Sequence, residues 1–163
     1  MAEAPWLTTA RDLLGTRETV GPGNNPVIMG WAKKLGPRLG APYTGDAVPW
    51  CGLFVAHCMD EAKIALPSIP IRALAWANWG QSVAPCSGCV LVFTREGGGH
   101  VGLYAGETET HFLVLGGNQG DAVSIVKIAK DRLTASRWPA GVPVTGKPQK
   151  VAASGAALSH NEA

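Results

Sequence analysis

Three polar side chains that together could hydrolyse an amide bond follow one another along the chain: Cys51, His100 and Asn118. Cys51 stands in PWCGLFVAHCM, where proline and tryptophan precede an apolar run with helical character. We expect the thiol in the first turn of that helix, because the partial positive charge and unpaired N–H groups of a helix N-terminus favour a thiolate. The same N–H groups can hold the oxyanion that forms when a thiolate attacks a carbonyl carbon. Packing alone is the alternative, since free cysteine is often buried.

A nucleophilic thiolate needs a base, and the base needs an orienting group. His100 follows three glycines at the start of a predicted strand, and glycine there lets a substrate or another backbone approach closely. Asn118, in VLGGNQG, follows the next predicted strand, and antiparallel neighbours bring the start of one strand beside the end of the next. We therefore expect Asn118 to orient the imidazole, with Gln119 as its immediate competitor. A cysteine on a helix followed by a histidine on a sheet is the logic of papain-like enzymes.

Helices in the first half of the chain and strands in the second half must hold these side chains. Hydrophobic periodicity predicts four helices, and an Asn-Pro start signal and glycine stop signals help to set their ends. They are expected from Trp6 to near Gly15, over Pro26–Leu35, over 49–63 and, as a shorter helix, over 72–79. Apolar and alternating runs predict strands over 89–94, 100–104, 112–115 and 122–129. Helices followed by strands predict an α+β domain over residues 1–138, with the N-terminal helices packed on a small antiparallel sheet. Residues 139–163 are rich in Pro, Gly, Ala, Ser and Lys, and we expect a flexible, low-complexity tail there.

Three motifs in sequence order, PWCGLFVAHCM, GGGHVGLYAGE and VLGGNQGDAVSI, resemble the peptidoglycan-cleaving cysteine hydrolases of the CHAP and NlpC/P60 group. The resemblance is closest to the phage- and prophage-associated branch, whose N-terminal segment is similar to GTRETVGPGNNP, with Glu18 and Asn25 at its characteristic positions. It covers residues 10–138 and implies a papain-like fold. It also implies hydrolysis of an amide bond in the peptide part of the bacterial cell wall, without a cofactor or metal.

The same resemblance assigns roles to individual residues: Cys51 as nucleophile, His100 as base and Asn118 as the third polar residue. The chain departs from the group at two places. Many relatives have His, Glu or Asp at the third position, and many have Gly-Asp or Gly-Ala where this chain has Gly88 and Cys89.

Residues near the nucleophile are candidates for substrate contact. Trp50 adjoins Cys51, and we expect it to line the substrate groove. Asp46 and Tyr43 precede Cys51 by five and eight positions and are candidate secondary contacts or a second oxyanion donor, with capping and turn roles as the alternative. Gln119 completes the predicted substrate-binding set.

The other three cysteines carry less specific signals. Cys58 lies about two helical turns after Cys51, and we expect it in the core. Cys86 and Cys89 form a CxxC pair before a predicted strand. Structural thiols, a disulfide and a zinc site shared with His100 are three interpretations of this pair.

Composition excludes several classes of function. The 163 residues are 46% hydrophobic and 16% charged, which is typical of a folded globular domain, and the net charge of +2 without a basic run argues against a nucleic-acid-binding protein. No segment approaches the apolar length of a membrane span, and the N-terminus lacks the features of a secretory signal.

These features lead to expectations about location and partners. We expect a monomer made in the cytoplasm that acts on peptidoglycan after delivery by a phage particle, a holin or a secretion apparatus. The sequence leaves open whether the protein is an amidase or an endopeptidase. A non-catalytic cell-wall-binding or virion structural module on the same scaffold is the alternative function.

Overall fold

The structure, a computed structural model, describes residues 3–19, 23–45, 49–95 and 97–151, together with the backbone of 157–158. The helices occupy the first half of the chain: α1 (Pro5–Asp12), α2 (Pro26–Leu35) and α3 (Cys51–Glu61). Short 3₁₀ segments lie at Gly36–Leu39, Ala73–Asn78 and Lys130–Arg132. The strands are β1 (Gln81–Ser82), β2 (Val90–Arg95), β3 (Gly98–Glu107), β4 (His111–Gly116), β5 (Ser124–Ala129), β6 (Leu133–Trp138) and β7 (Ala157–Leu158).

The strands form one sheet in the order β1-β6-β2-β3-β4-β5-β7, antiparallel except for the β5–β7 pair. The helices pack on this sheet, which confirms the predicted α+β class with N-terminal helices on an antiparallel sheet. The four predicted strands correspond to β2, β3, β4 and β5, whereas the prediction missed β1, β6 and β7. Strand β6 was missed because most of its residues are half-buried on both faces. Its sequence therefore lacks the alternation of apolar and polar residues that marks a strand with one solvent-exposed face.

Local signals in the sequence account for the helix boundaries. Helix α2 has the predicted bounds because the side-chain oxygen of Asn25 accepts hydrogen bonds from the N–H groups of Val27 (2.7 Å) and Ile28 (3.3 Å). Helix α3 is shorter than predicted at both ends and begins at Cys51 itself. The predicted fourth helix is a 3₁₀ segment, in which the indole of Trp76 donates to the carbonyl of Pro70 (3.0 Å).

Helix α3 is the centre of the core. Every residue from its first position to Met59 is buried, which is the behaviour of a helix enclosed on all sides rather than of an amphipathic surface helix. Helices α1 and α2 and strands β3 and β4 all pack against α3. The N-terminus of α3 is therefore held against the sheet by packing over its whole length.

Part of the predicted tail lies against the domain. The side chain of Gln81 donates to the carbonyls of Pro139 (3.1 Å) and Val142 (3.2 Å), and the backbone of Gln149 pairs with Glu107 at the end of β3. The domain boundary at residue 138 stays a prediction, but residues 139–151 pack on the domain rather than extending from it. In the part of the chain that the structure describes, no helix has the length and apolar character needed to cross a membrane.

Candidate active site

Cys51 occupies the first position of α3, and its side chain is buried with 4% exposure. Burial raises the pKa of the thiol, but a hydrogen bond to His100, the charge of that imidazole, and hydrogen bonds from the backbone of Val101 and Gly52 outweigh it. The net effect is a pKa below the ordinary value for cysteine. The site therefore favours the thiolate form of Cys51 beside His100.

His100 lies on β3, opposite Phe93 of β2, and is fully buried. The structure brings His100 to Cys51, as the sequence predicts for a base and its nucleophile. Its Nε2 atom lies 2.8 Å from the side-chain oxygen Oε1 of Gln119. The imidazole is thus placed between a thiol and an amide.

The hydrogen bonds of Gln119 determine which tautomer His100 adopts. The side-chain nitrogen of Gln119 donates to the carbonyls of Val114 (3.1 Å) and Ser124 (2.7 Å). A flipped amide would set its oxygen against these two carbonyl oxygens, so Oε1 must face His100. Because Oε1 can only accept, Nε2 of His100 carries a hydrogen, and Nδ1 is the ring nitrogen that can take the proton of the thiol.

The structure brings Gln119, the predicted competitor of Asn118, against the imidazole of His100, while its predicted contact with substrate stays a prediction. Gln119 has 3% exposure, and both of its polar atoms are bonded inside the protein. Asn118 is also buried and adopts a left-handed backbone conformation with φ of 59°. This turn changes the direction of the chain after β4, so spacing alone did not identify which of the two neighbours faces the imidazole.

Trp50 is fully buried in this structure, and its predicted contact with substrate stays a prediction. Its indole N–H donates to the carboxylate of Glu18 (3.0 Å), and its ring packs at 6.1 Å from that of Trp31. On another side the ring meets the backbone of Gly117, two residues before Gln119. Trp50 thus connects the N-terminal loop, the start of α3 and the loop that carries Gln119.

Gly117 is required by this packing. A Cβ at residue 117 would lie 2.7 Å from the Cβ of Phe54 and 2.8 Å from the Trp50 ring. We expect Gly117→Ala to lower the free energy of unfolding by about 1–3 kcal/mol, because a buried ring and helix backbone must shift. Gly30→Ala is the matched control: its Cβ meets nothing within 4 Å in α2, so it should stabilise by about 0.5–1 kcal/mol. Urea unfolding monitored by circular dichroism measures both, and equal effects of the two variants would contradict the packing argument.

Two predicted substrate contacts remain predictions. Tyr43 is half-buried and lines a cavity of about 300 Å³ with Met29, Leu39 and neighbouring residues of α2. Asp46 lies outside the described residues.

The remaining cysteines differ from Cys51. Burial raises the pKa of Cys58, which lies in the body of α3 as predicted. Cys86 and Cys89 are free thiols in contact with each other, and the sulfur of Cys89 lies 3.4 Å from the hydroxyl of Ser136. Within residues 3–19, 23–45, 49–95 and 97–151, no three His, Cys, Asp or Glu side chains come close enough to hold a metal ion, so the hypothetical zinc site of Cys86, Cys89 and His100 is not formed.

The difference between the thiols predicts a selective reaction. The thiolate is the reactive form, so the alkylation rate of a thiol rises with pH until its pKa is passed. We expect iodoacetamide to modify Cys51 well before Cys58 at pH 7, with the rate at Cys51 levelling off at a lower pH than for a free thiol. Peptide mass spectrometry after timed alkylation measures each rate. Equal rates at Cys51 and Cys58 in the folded protein would contradict a lowered pKa at Cys51.

No family model and no curated protein matches the chain. Among solved structures, the P60 domain of an antigen from M. avium paratuberculosis is similar over 82% of this chain and 90% of its own, with 19% identity and a TM-score of 0.49. RipD from Mycobacterium tuberculosis, described as a non-catalytic NlpC/P60 domain protein adapted to peptidoglycan binding, is similar over 81% of this chain and 92% of its own, with 19% identity and a TM-score of 0.47.

Proposed function

We propose that the protein is a cysteine hydrolase that cleaves an amide bond in the peptide part of bacterial peptidoglycan. The observation that carries the proposal is the contact between Cys51, at the start of α3, and His100, whose ring is oriented by Gln119. A module that only binds cell walls has no need for a thiol with a lowered pKa against an oriented imidazole.

The geometry supports a two-step reaction. His100 takes the thiol proton at Nδ1, and the Cys51 thiolate attacks the carbonyl carbon of the scissile amide. Backbone N–H groups at the start of α3 stabilise the oxyanion. The imidazolium then gives its proton to the leaving amine as the C–N bond breaks, which leaves a thioester. His100 next removes a proton from water, whose oxygen attacks the thioester, and the protonated imidazole returns the proton to the departing sulfur.

The substrate class is supported by the three motifs that resemble CHAP and NlpC/P60 hydrolases. The same proposal includes three further points: the protein belongs to the phage-associated branch, it is delivered by a phage particle, a holin or a secretion apparatus, and it acts as a monomer. The reaction needs neither a metal nor an organic cofactor, because the thiol, imidazole and backbone N–H groups supply the nucleophile, the proton carrier and the oxyanion site.

Digestion of purified peptidoglycan tests the proposal. Mass spectrometry of the soluble fraction should detect fragments with one new amine and one new carboxyl group per cleavage. Release of sugar-free stem peptides would identify an amidase, and shortened or uncoupled stems would identify an endopeptidase. Sedimentation of the protein with the walls without any released fragment would overturn the proposal and support the non-catalytic binding module.

A further inference from the structure

Cys86 and Cys89 are neighbouring thiols that the proposed hydrolysis does not use. They stand at the two ends of a four-residue turn, in which the N–H of Cys89 donates to the carbonyl of Cys86 (3.0 Å). Gly88 is the third residue of this turn and has a φ of 85°, the left-handed conformation that a type II turn requires there. The ends of such a turn lie within about 7 Å of each other at Cα, a separation that a disulfide can bridge.

The two sulfurs are already in contact within a well-held turn. The thiols of Cys86 and Cys89 are hydrogen-bonded to each other, and the N–H of Cys86 donates to the sulfur of Cys89 (3.4 Å). The N–H of Gly88 donates to the carbonyl of Tyr104 (3.0 Å), and the indole of Trp6 donates to the carbonyl of Gly88 (2.6 Å). Formation of an S–S bond therefore requires little movement of the backbone.

This turn is separate from the candidate active site. It pairs with β3 at Tyr104, four residues after His100, and four residues of a strand span about 13 Å. Chemistry at Cys86 and Cys89 is thus independent of the proposed hydrolysis. It can be measured without any cell-wall substrate.

Residues 145–151 form a strap that covers the sulfur of Cys86. A Cβ at Gly146 would lie 3.2 Å from the Sγ atom of Cys86 and would overlap the carbonyl oxygen of Ser87. The N–H of Ser87 donates to the carbonyl of Lys147 in the strap (3.0 Å). Cys86 is 4% exposed and Cys89 is fully buried. A reagent from solvent therefore reaches Cys86 first, after the strap has moved.

Backbone hydrogen bonds attach the strap to the end of β3. The N–H of Gln149 donates to the hydroxyl of Tyr104 (2.9 Å), and Gln149 and Val151 share backbone hydrogen bonds with Glu107 (both 2.8 Å). All residues of the strap are exposed apart from Gly146, which is half-buried. A segment that buries so little apolar surface opens locally far more often than the core does.

We propose that Cys86 and Cys89 are a redox-active thiol pair that forms an intramolecular disulfide by exchange with a small-molecule disulfide, and that the strap controls the reaction by covering Cys86. The Cys86 thiolate, whose proton goes to water, attacks one sulfur of the small disulfide. The S–S bond of the reagent breaks and releases a thiolate, which takes a proton from water. The sulfur of Cys89 then attacks the Sγ atom of Cys86, and the second thiolate leaves with the proton of Cys89. The protein loses two electrons and two protons, and the reagent is reduced to two thiols.

The order of attack follows from burial and hydrogen bonding. The hydrogen bond with Cys89 lowers the pKa of Cys86, whereas burial raises the pKa of Cys89. Cys86 therefore meets the reagent as the nucleophile, and Cys89 resolves the mixed disulfide. Delivery out of the cytoplasm, which the proposed function includes, would bring the pair into an oxidising compartment.

Timed treatment of the reduced full-length protein with hydroxyethyl disulfide tests the reaction. The treated protein is quenched in acid, unfolded, alkylated with iodoacetamide and digested with trypsin. Residues 73–95 form one tryptic peptide, which contains Cys86 and Cys89 and no other cysteine. We expect mass spectrometry to show this peptide without alkylation and lighter by two hydrogens than the dithiol. A peptide still alkylated at both sulfurs after prolonged treatment would overturn the proposal.

Cys51 and Cys58 are the matched control, because they lie together in the tryptic peptide 39–63. They are seven positions apart in α3, so their Cα atoms are about 10.5 Å apart, which is beyond the reach of a disulfide. We expect no intramolecular disulfide in this peptide. Formation of one at a similar rate would contradict the proposal, because unfolding rather than the turn would then bring sulfurs together.

Single alanine variants test which thiol attacks first. Cys89→Ala should keep the small thiol as a mixed disulfide on Cys86, because the resolving sulfur is missing. Cys86→Ala should form the corresponding adduct on Cys89 at least about tenfold more slowly, because Cys89 is the more deeply buried thiol. Equal rates of adduct formation in the two folded variants would overturn the assigned order of attack.

Tyr104→Phe tests the control by the strap. It removes the hydroxyl that accepts from Gln149, so oxidation of peptide 73–95 should be faster by roughly two- to tenfold, the change in the open population when one hydrogen bond is lost. Thr16→Val is the matched control, because it removes a hydroxyl that is bonded to Leu13, outside the strap, and it should leave the rate unchanged. An unchanged rate in folded Tyr104→Phe would overturn the role of the strap.

Discussion

Cys51→Ala abolishes the release of soluble fragments from peptidoglycan, with kcat reduced by at least about 10⁴-fold, the loss expected when a covalent nucleophile is removed. Without the sulfur no thioester forms, and the oriented imidazole has no proton to take from it. The fold should be retained, because alanine is the best helix former and position 51 is the first residue of α3. Fragment release measured by mass spectrometry and melting followed by circular dichroism separate the two effects.

Cys58→Ala provides the matched control within the same helix. Cys58 is fully buried and its thiol has a raised pKa, so removal of its sulfur affects packing rather than chemistry. We expect a loss of about 1–2 kcal/mol in the free energy of unfolding and unchanged turnover. If Cys51→Ala retained turnover and folded Cys58→Ala lost it, the nucleophile would be Cys58 rather than Cys51. That result would contradict the mechanism.

Gln119→Ala is expected to produce the second largest effect, a loss of about 10²- to 10⁴-fold in kcat, the range associated with general acid–base catalysis. Without Oε1, His100 loses the acceptor that selects its tautomer and stabilises the imidazolium. The thiolate–imidazolium pair is then less stable, so the pH at which alkylation of Cys51 levels off should move upward. A change in that profile separates a positioning role of Gln119 from a purely structural one.

Asn118→Gly distinguishes the two candidates for the third residue. Glycine accepts the left-handed backbone at this position without strain, so the substitution removes the side chain without straining the backbone. We expect turnover within a few-fold of the unmodified protein. A large loss of turnover in Asn118→Gly, together with near-normal turnover in Gln119→Ala, would return the orienting role to Asn118.

Stability must be measured beside activity for Gln119→Ala. The variant leaves the carbonyls of Val114 and Ser124 without their side-chain donor, and a buried unsatisfied group costs about 1–3 kcal/mol. Assays should therefore be run well below the melting temperature of the variant. Under those conditions a decrease in kcat reports on the imidazole rather than on the unfolded fraction.

Local signals in the sequence were sufficient for features that depend on neighbouring residues. The Asn25 cap and the apolar period set the bounds of α2, and the order of helices and strands predicted the α+β class. The same signals placed Cys51 at a helix start and His100 on a strand. These features could be predicted because a cap, a period or an alternation is contained within a few consecutive residues.

The remaining features depend on contacts between segments far apart in the chain. Trp50 is buried in part because Glu18 and Gly117 lie against it. The Pro-Trp-Cys motif alone does not indicate that its tryptophan is buried. Gln119 reaches His100 because a left-handed turn at Asn118 and two carbonyls on adjoining strands set the direction of its amide. A period or a motif specifies which face of an element is apolar, but the identity of the side chain that meets a given imidazole is determined by how the loops and strands pack together.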